Sequence, residues 1–389
     1  MKIVHLCAAH QALDNRIFYR ECRTLAQAGH EVVLVAPCLR DERVDDVQIR
    51  AVRPGNRWSR WTRTTAQILV RALAERGDVY HLHEPGLIPV GLLLAGRGRE
   101  VVYDIHDDLP ASLSSRCHTP WLAALCGWLE ARLANRFHQI LAEACYQKRM
   151  PQGLIIQNYP LLSLFRVQQP PERGACKLIY TGVNSVLRGL DRHAGLVSLV
   201  PGAELHLVGR FPPHLAQRAR AAAGAHADRL HLLGVSDWVP YERVLTYYRE
   251  TSWTAGLALF PPGGYYQERM LTKFFEYMAC GIPILCSDFP LWKNRIEGAG
   301  AGLCVDPEND GQIESALEFL SQNPEEAAEM GRRGRELVET RYHWDGEAGK
   351  LLDLYRRLKP SEARGASPAA LRNGGPVKLA PRPPTNPVD

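Results

Sequence analysis

The stretch Leu271-Thr-Lys-Phe-Phe-Glu-Tyr-Met-Ala-Cys-Gly-Ile-Pro-Ile-Leu-Cys-Ser-Asp288 decides how this chain is read. Phe274, Phe275, Met278 and Ala279 recur at the spacing of one apolar helix face, and Gly281 is the residue type that ends such a helix. Residues 283–286 then form a short apolar run of the kind buried in a parallel sheet. Lys273 and Glu276 stand three apart and share a helix face. A helix start presents free N–H groups and a positive dipole end, so a lysine there points to an anion such as a diphosphate, with Glu276 in reach of ribose hydroxyls. Taken alone, the same two residues also fit a surface ion pair.

Working outward, the pattern around this unit repeats. Strands are expected at 2–6, 31–36, 79–82, 100–104, 139–142 and 154–156, alternating with helices at 16–28, 61–75, after Gly86 and at 121–135. The prolines of segment 158–176 (Pro160, Pro170 and Pro171) break the alternation, which restarts with strands at 177–180, 204–208, 230–233, 253–259, 283–286 and 302–305. Helices at 311–321, 324–341 and 344–358 follow. Such alternation predicts an α/β chain with parallel sheets covered on both faces. The expected division is 1–160 as a first Rossmann-like domain, 161–176 as linker and 177–342 as a second Rossmann-like domain. Residues 343–358 form a closing helix that can return to the first domain, and 359–389, rich in Pro, Gly, Ala and Arg, form a disordered tail. Ligands of open parallel sheets bind beyond the carboxyl ends of the strands, so the cleft between two such sheets is the expected site.

Composition excludes several classes. With 47 basic and 42 acidic residues, a formal charge of +5 is too mild for a strongly basic nucleic-acid binder. The ten cysteines show no paired C-x-x-C spacing, and the start Met-Lys-Ile-Val-His-Leu-Cys lacks a signal-peptide apolar core, so a reducing cytoplasm is the expected location. No apolar run is long enough to cross a bilayer. The segment Arg57-Trp58-Ser-Arg60-Trp61-Thr-Arg63 interleaves cations with indoles, which suits peripheral contact with the inner membrane face and equally suits a solvated helix start. Trp121-Leu-Ala-Ala-Leu-Cys-Gly-Trp128 extends an apolar surface or packs in the core, core packing being the simpler reading. The first strand runs into Cys-Ala-Ala-His-Gln, without the G-x-G-x-x-G loop of a dinucleotide-binding dehydrogenase.

The stretch at 271–288 closely resembles the K-x-x-E-Y-M-A-x-G-x-P-I segment of family 4 glycosyltransferases with the GT-B fold. Other segments agree in order: His-Gln-Ala-Leu-Asp14-Asn15-Arg16-Ile-Phe, Ala-Gly-His-Glu-Val, His81-Leu-His83-Glu84-Pro and Tyr103-Asp-Ile-His106-Asp in the amino half. Tyr180-Thr-Gly182 with Arg188-Gly189, Leu207-Val-Gly209-Arg210 and Val239-Pro-Tyr-Glu-Arg-Val-Leu follow in the carboxyl half. The resemblance spans about residues 2–358. It implies a GT-B fold and a retaining glycosyltransferase that moves a sugar from a nucleoside diphosphate sugar to a glycan or lipid-linked acceptor, in surface polysaccharide or glycoconjugate synthesis. A sugar-nucleotide epimerase of the same fold and a non-catalytic partner subunit are the alternatives.

The resemblance also implies roles. Gly182, Arg188, Gly209, Arg210, Trp238, Val239, Lys273, Phe274 and Glu276 would hold the donor, with Glu276 on the ribose and the cations on the departing diphosphate. Gly182 and Gly209 let backbone approach phosphate or simply make turns, and Trp238 stacks on the base or packs inside. His106, at a strand end, would lie by the transferred sugar. Glu268, eight before Glu276, reproduces the family's E-x7-E spacing, although Arg269-Met-Leu replaces its usual Gly-Phe-Gly. Asp14, Asn15, Arg16 and His83 would receive the acceptor, although the first three could instead be simple helix-capping residues. His81 and His83 point the same way from one strand and could be two zinc ligands, but no third ligand cluster accompanies them. No Asp-x-Asp triplet occurs, so metal-independent transfer is expected, with no cofactor beyond the nucleotide-sugar co-substrate.

Overall fold

A computed structural model describes residues 1–55, 60–106, 109–114, 119–263 and 265–358. Of the cation–indole segment, Arg57 and Trp58 lie outside the described residues, as do the side chains of Arg60 and Trp61 and the whole of 359–389.

The amino-terminal unit is an eight-stranded sheet. Its elements are β1 (Lys2–Leu6), α1 (Asn15–Cys22 running into Arg23–Gln27), β2 (Glu31–Pro37), β3 (Glu42–Val44), β4 (Val47–Val52), α2 (Thr65–Glu75), β5 (Val79–Leu82), α3 (Ile88–Ala95), β6 (Glu100–Ile105), α4 (Leu109–Ser114), α5 (Pro120–Ala134), β7 (His138–Leu141) and β8 (Leu154–Ile155). The order is β3-β4-β2-β1-β5-β6-β7-β8. Every pair is parallel except β3 with β4. That short hairpin was not expected from sequence: its strands mix Glu, Arg and Gln with Val and Ile because one side faces solvent at the sheet edge.

The carboxyl-terminal unit has six parallel strands in the order β11-β10-β9-β12-β13-β14. They are β9 (Lys177–Thr181), β10 (Glu204–Phe211), β11 (Leu230–Val235), β12 (Ala255–Ala258), β13 (Ile284–Ser287) and β14 (Gly302–Val305). Helices α6 (Leu190–Leu199), α7 (Pro213–Ala223), α8 (Tyr241–Glu250), α9 (Thr272–Cys280), α10 (Pro290–Trp292), α11 (Asp310–Gln322) and α12 (Pro324–Thr340) cover it. The central strands are buried on both faces, as the apolar runs 284–286 and Ala255–Ala258 require. Two parallel sheets facing across a cleft agree with the expected fold class.

The last helix, α13 (Trp344–Arg357), packs on the amino-terminal sheet. Trp344 donates its indole N–H to Thr24 at 2.8 Å, and Tyr355 meets His81 Nδ1 at 2.8 Å. A helix from beyond the second sheet is thereby built into the core of the first.

In each sheet the chain reverses its direction of winding at one central strand. For the first sheet this is β1, flanked by β2 and β5; for the second it is β9, flanked by β10 and β12. Loops leaving the carboxyl ends of such strands diverge and open a crevice. Residues 7–14 leave β1 and Gly182 leaves β9, so both crevices face the same cleft.

Candidate nucleotide-sugar site

A cleft of about 700 Å³ lies between the two sheets. Its carboxyl-terminal wall is made of strand ends and helix starts. Gly182, Gly209 and Gly234 all take positive φ (116°, 145° and 98°), and their backbones stack closely. A Cβ on Gly209 would stand 1.9 Å from the Gly182 carbonyl oxygen, and one on Gly234 2.2 Å from that of Gly209. Only glycine lets the three loops approach this way.

Gly182 has a second consequence. The space a Cβ would take there lies 3.6 Å from Lys273 Nζ and 3.8 Å from Arg188 Nη1. Two cations therefore converge on bare backbone. Arg188 is held by Tyr266, whose hydroxyl takes its Nε–H at 3.1 Å. Lys273 comes from the first turn of α9, which no side chain caps and whose start, Leu271, Thr272 and Lys273, lines the cleft. The Lys273 ammonium is buried, has no hydrogen-bond partner among the described residues, and sits 3.3 Å above the Tyr180 ring centre. Burial, then the nearby Arg188 charge, holds its pKa well below the usual lysine value. A buried cation without an acceptor is costly until an anion arrives, which marks this as an anion site.

One turn along α9, Glu276 is also buried yet fully engaged. Tyr241 donates to Oε1 at 2.9 Å, Tyr248 to Oε2 at 3.0 Å, and the Asn15 amide from the opposite domain to Oε1 at 3.2 Å. Burial raises its pKa, opposed by the Arg20 charge and these hydrogen bonds. Arg20 orients that amide: its Nη1 donates to both the Asn15 carbonyl and the Asn15 side-chain oxygen, leaving the amide nitrogen turned toward Glu276. Tyr241 and Tyr248 were not singled out from sequence. Their signal was available: seven residues apart on α8, they fall on one helix face.

On the amino-terminal wall, His106 directly follows β6 and lines the cleft. Its Nδ1 meets Asp104 at 2.9 Å and its Nε2 meets His10 at 3.1 Å. Asp104 is buried, but Arg16 and then His106 outweigh burial and keep its pKa well below the carboxylate range. Asp14 caps α1, accepting the N–H groups of Arg16 at 2.8 Å and Ile17 at 3.0 Å, and its carboxyl also lies 3.5 Å from His10. Glu84 fastens the loop after β1 by accepting the N–H groups of Ala8 and Ala9 at 2.9 and 3.0 Å.

Of the residues expected in the cleft, Asp14, Asn15, His106, Gly182, Arg188, Gly209, Arg210, Trp238, Val239, Lys273 and Glu276 line it. Four do not. Arg16 is buried beneath, bidentate to Asp104 at 2.6 and 2.8 Å and bonded to Ile156 and Asn158, so it ties the loop to the domain and cannot meet an acceptor. His83 is likewise buried, 2.9 Å from His5 and 3.3 Å from Asp104. Phe274 is wholly in the core, its ring 5.0 Å from that of Trp292, because the helix periodicity that faces Lys273 to the cleft turns the next residue inward. Glu268 is exposed at the rim, paired with Lys148 of the other domain at 3.0 Å. The chain turns it outward and brings the next residue, Arg269, into the lining instead.

His5, Glu21, His81 and His83 form a buried group of potential metal ligands, and His83, Asp104 and His106 another. The single Arg16 guanidinium is shared between their carboxylates, 3.1 Å from Glu21 and 2.6 Å from Asp104, so a divalent cation in either group would face that fixed positive charge.

Comparison with known proteins agrees with this geometry. Residues 15–143 match the glycosyl transferase 4-like domain family and residues 196–353 a glycosyl transferase-like family. D-inositol 3-phosphate glycosyltransferase of Gordonia bronchialis is 29% identical over 142 residues, 35% of this chain and 29% of that protein. The match thus spans under a third of that relative's length. Among solved structures, sucrose-phosphate synthase from Thermosynechococcus elongatus superposes with a TM-score of 0.71 at 17% identity, covering 92% of this chain and 99% of that one. Anabaena HepE in complex with UDP-glucose does so with a TM-score of 0.67 at 13% identity and the same coverage. With two glycosyltransferase domains in tandem and two parallel sheets facing across a cationic cleft, the chain belongs to the GT-B glycosyltransferases of family 4.

Proposed function

We propose that this protein is a retaining hexosyltransferase that takes a sugar from a nucleoside diphosphate sugar held on the carboxyl-terminal wall and passes it to a glycan or lipid-linked acceptor on the amino-terminal wall. The observation that carries the donor side is the unpartnered Lys273 ammonium, converging with Arg188 on the Cβ-less backbone of Gly182. A diphosphate placed there gives Lys273 the acceptor it lacks and receives the N–H groups of the α9 start. Glu276 accepts ribose hydroxyls, and Trp238 and Val239 flank the base. HepE, of similar fold, binds UDP-glucose.

Transfer breaks the bond between the anomeric carbon and the diphosphate, building positive charge on the sugar ring and negative charge on the leaving group. Lys273 and Arg188 stabilise that leaving group without a metal ion. His106, oriented by Asp104, stands where it can hydrogen-bond a hydroxyl of the sugar. The acceptor is drawn from a growing glycan or glycoconjugate, with Asp14 and Asn15 at its entrance. Closure of the domains excludes water and limits donor hydrolysis. The protein would work at the inner face of the membrane, the Arg57–Arg63 segment being one candidate for contact; Arg63 is exposed.

The test is to incubate pure protein with candidate nucleoside diphosphate sugars and lipid or glycan acceptors, and to compare wild type with Glu276→Ala and Lys273→Ala. Loss of transfer in both variants is expected. Undiminished turnover in both would sink this donor site.

A further inference from the structure

Helix α5 is turned inside out. The side it presents to the protein carries small residues and one acid, Ala123, Gly127, Glu130 and Ala134, all buried. Its large apolar side chains point to solvent: Trp121 is 68% exposed and Trp128 58%, with Leu122, Leu125 and Leu129 beside them. At about 100° per residue these five fall within an arc of about 120°, opposite the buried arc. A helix that merely covered a core would place them the other way round.

The inward side is built to be small. A Cβ on Gly127 would come within 2.5 Å of Pro110 Cγ, so α5 lies close on α4 at that point. Glu130, the helix's one acidic residue, is also inward, where Tyr103 donates to it at 2.8 Å and Arg149 pairs with it at 3.3 Å. The outward arc therefore has no negative charge. It does have a cation: Arg132 lies in the arc with its guanidinium 5.9 Å from the Trp128 ring centre, and exposed Arg136 follows just past the helix end. Two indoles, three leucines and flanking arginines without a carboxylate match a surface that is apolar beneath and anionic at its rim.

We propose that α5 lies in the plane of an anionic lipid bilayer, its indoles and leucines among the acyl chains and Arg132 and Arg136 against the lipid phosphates. Through Glu130 and Tyr103 the helix is fastened to β6, the strand that leads directly into His106. Docking thus sets the amino-terminal wall of the cleft at the membrane surface. On the reading that this wall receives the acceptor, the acceptor reaches it from the lipid phase.

Flotation of the full-length protein tests this with vesicles of phosphatidylcholine alone and of phosphatidylcholine mixed with phosphatidylglycerol. Wild type is expected to float with the anionic vesicles. A Trp121→Ser/Leu125→Ser/Trp128→Ser variant and Arg132→Glu are each expected to lose about tenfold or more of that binding. Because these side chains are outside the core and the cleft, thermal stability and the nucleotide-induced thermal shift should stay at wild-type values in both variants. The proposal fails if wild type does not bind anionic vesicles or if the triple variant binds as wild type does. It also fails if the protein is a dimer that the triple variant converts to monomer, since a second copy would then own the face. Flotation does not depend on sugar transfer, so its outcome is separate from the proposed activity.

Discussion

Asn15 of the amino-terminal domain donates its side-chain amide to Glu276 of the carboxyl-terminal domain at 3.2 Å, spanning the cleft at the carboxylate proposed for the donor ribose. The two residues are 261 positions apart in sequence. The bond joins the two domains across the cleft and engages one oxygen of that carboxylate.

Two substitutions separate these roles. Glu276→Ala is expected to weaken nucleoside diphosphate binding by about tenfold to a hundredfold, the scale of lost hydrogen bonds to a charged group. Asn15→Ala removes a competitor and should tighten binding by a factor of about five, near 1 kcal/mol. Calorimetric titration measures both. Weakening in the Asn15 variant would show that the amide serves the bound state and does not compete with it.

Lys273 gives a pH signature. Its folded-state pKa lies well below the unfolded value of 10.5, so between the two values the unfolded chain holds more protons. Ligand-free stability should therefore rise with pH across that interval and level off above it. A bound diphosphate favours the ammonium, so nucleotide affinity should fall over the same interval, with proton uptake on binding below 10.5. Lys273→Met should abolish the affinity and its pH dependence while leaving ligand-free Tm unchanged or higher, because it removes an unpartnered buried charge. Titrations in buffers of different ionisation enthalpy check the proton uptake.

Glu268→Gln should change the transfer rate by less than about threefold, since it breaks only an exposed pair with Lys148. A steady-state comparison with Glu276→Gln decides it: a loss as large as that of Glu276→Gln would mean that the rim carboxylate enters the cleft during turnover.

Gly209→Ala and Gly202→Ala form a matched pair. Both glycines have positive φ, at 145° and 76°, but a Cβ meets the Gly182 carbonyl at 1.9 Å in the first and nothing within 4 Å in the second. Chemical denaturation should show a cost of about 1 kcal/mol for Gly202→Ala and about 3 kcal/mol or more for Gly209→Ala. Equal costs would mean that the stacked glycine loops separate freely.

Asp104→Asn should destabilise the fold by about 3–5 kcal/mol, because it strips a carboxylate from the buried Arg16 guanidinium. Asp104 also orients His106, so the variant should lose transfer even at temperatures where circular dichroism shows it folded.

The sequence alone determined the two parallel sheets, because buried strands and amphipathic helices follow from apolar spacing that no partner needs to supply. It also placed Lys273 and Glu276 at the opening of a helix, since local periodicity sets which residues share a face. Phe274 obeys the same rule against the resemblance: the resemblance groups it with the donor contacts, but apolar spacing sets it on the inward face and the helix turn sends its ring against Trp292.

Other features depend on groups far apart in the chain. Arg16 and His83 have the residue types of a binding loop, but Asp104, Glu21 and His5, brought in by neighbouring strands and α1, draw them below the surface. For Trp121 and Trp128 the sequence allowed an apolar surface or core packing, and the simpler core reading is overturned by their exposure, because α5 spells the same apolar letters whichever side it buries. Only the close seat of Gly127 on Pro110 and the inward pull of Tyr103 and Arg149 on Glu130 fix its orientation. The sequence could place a cation at a helix start by local spacing; that Lys273 is left without a partner, while Glu276 is held by three, was decided by the tertiary packing that removed water from both.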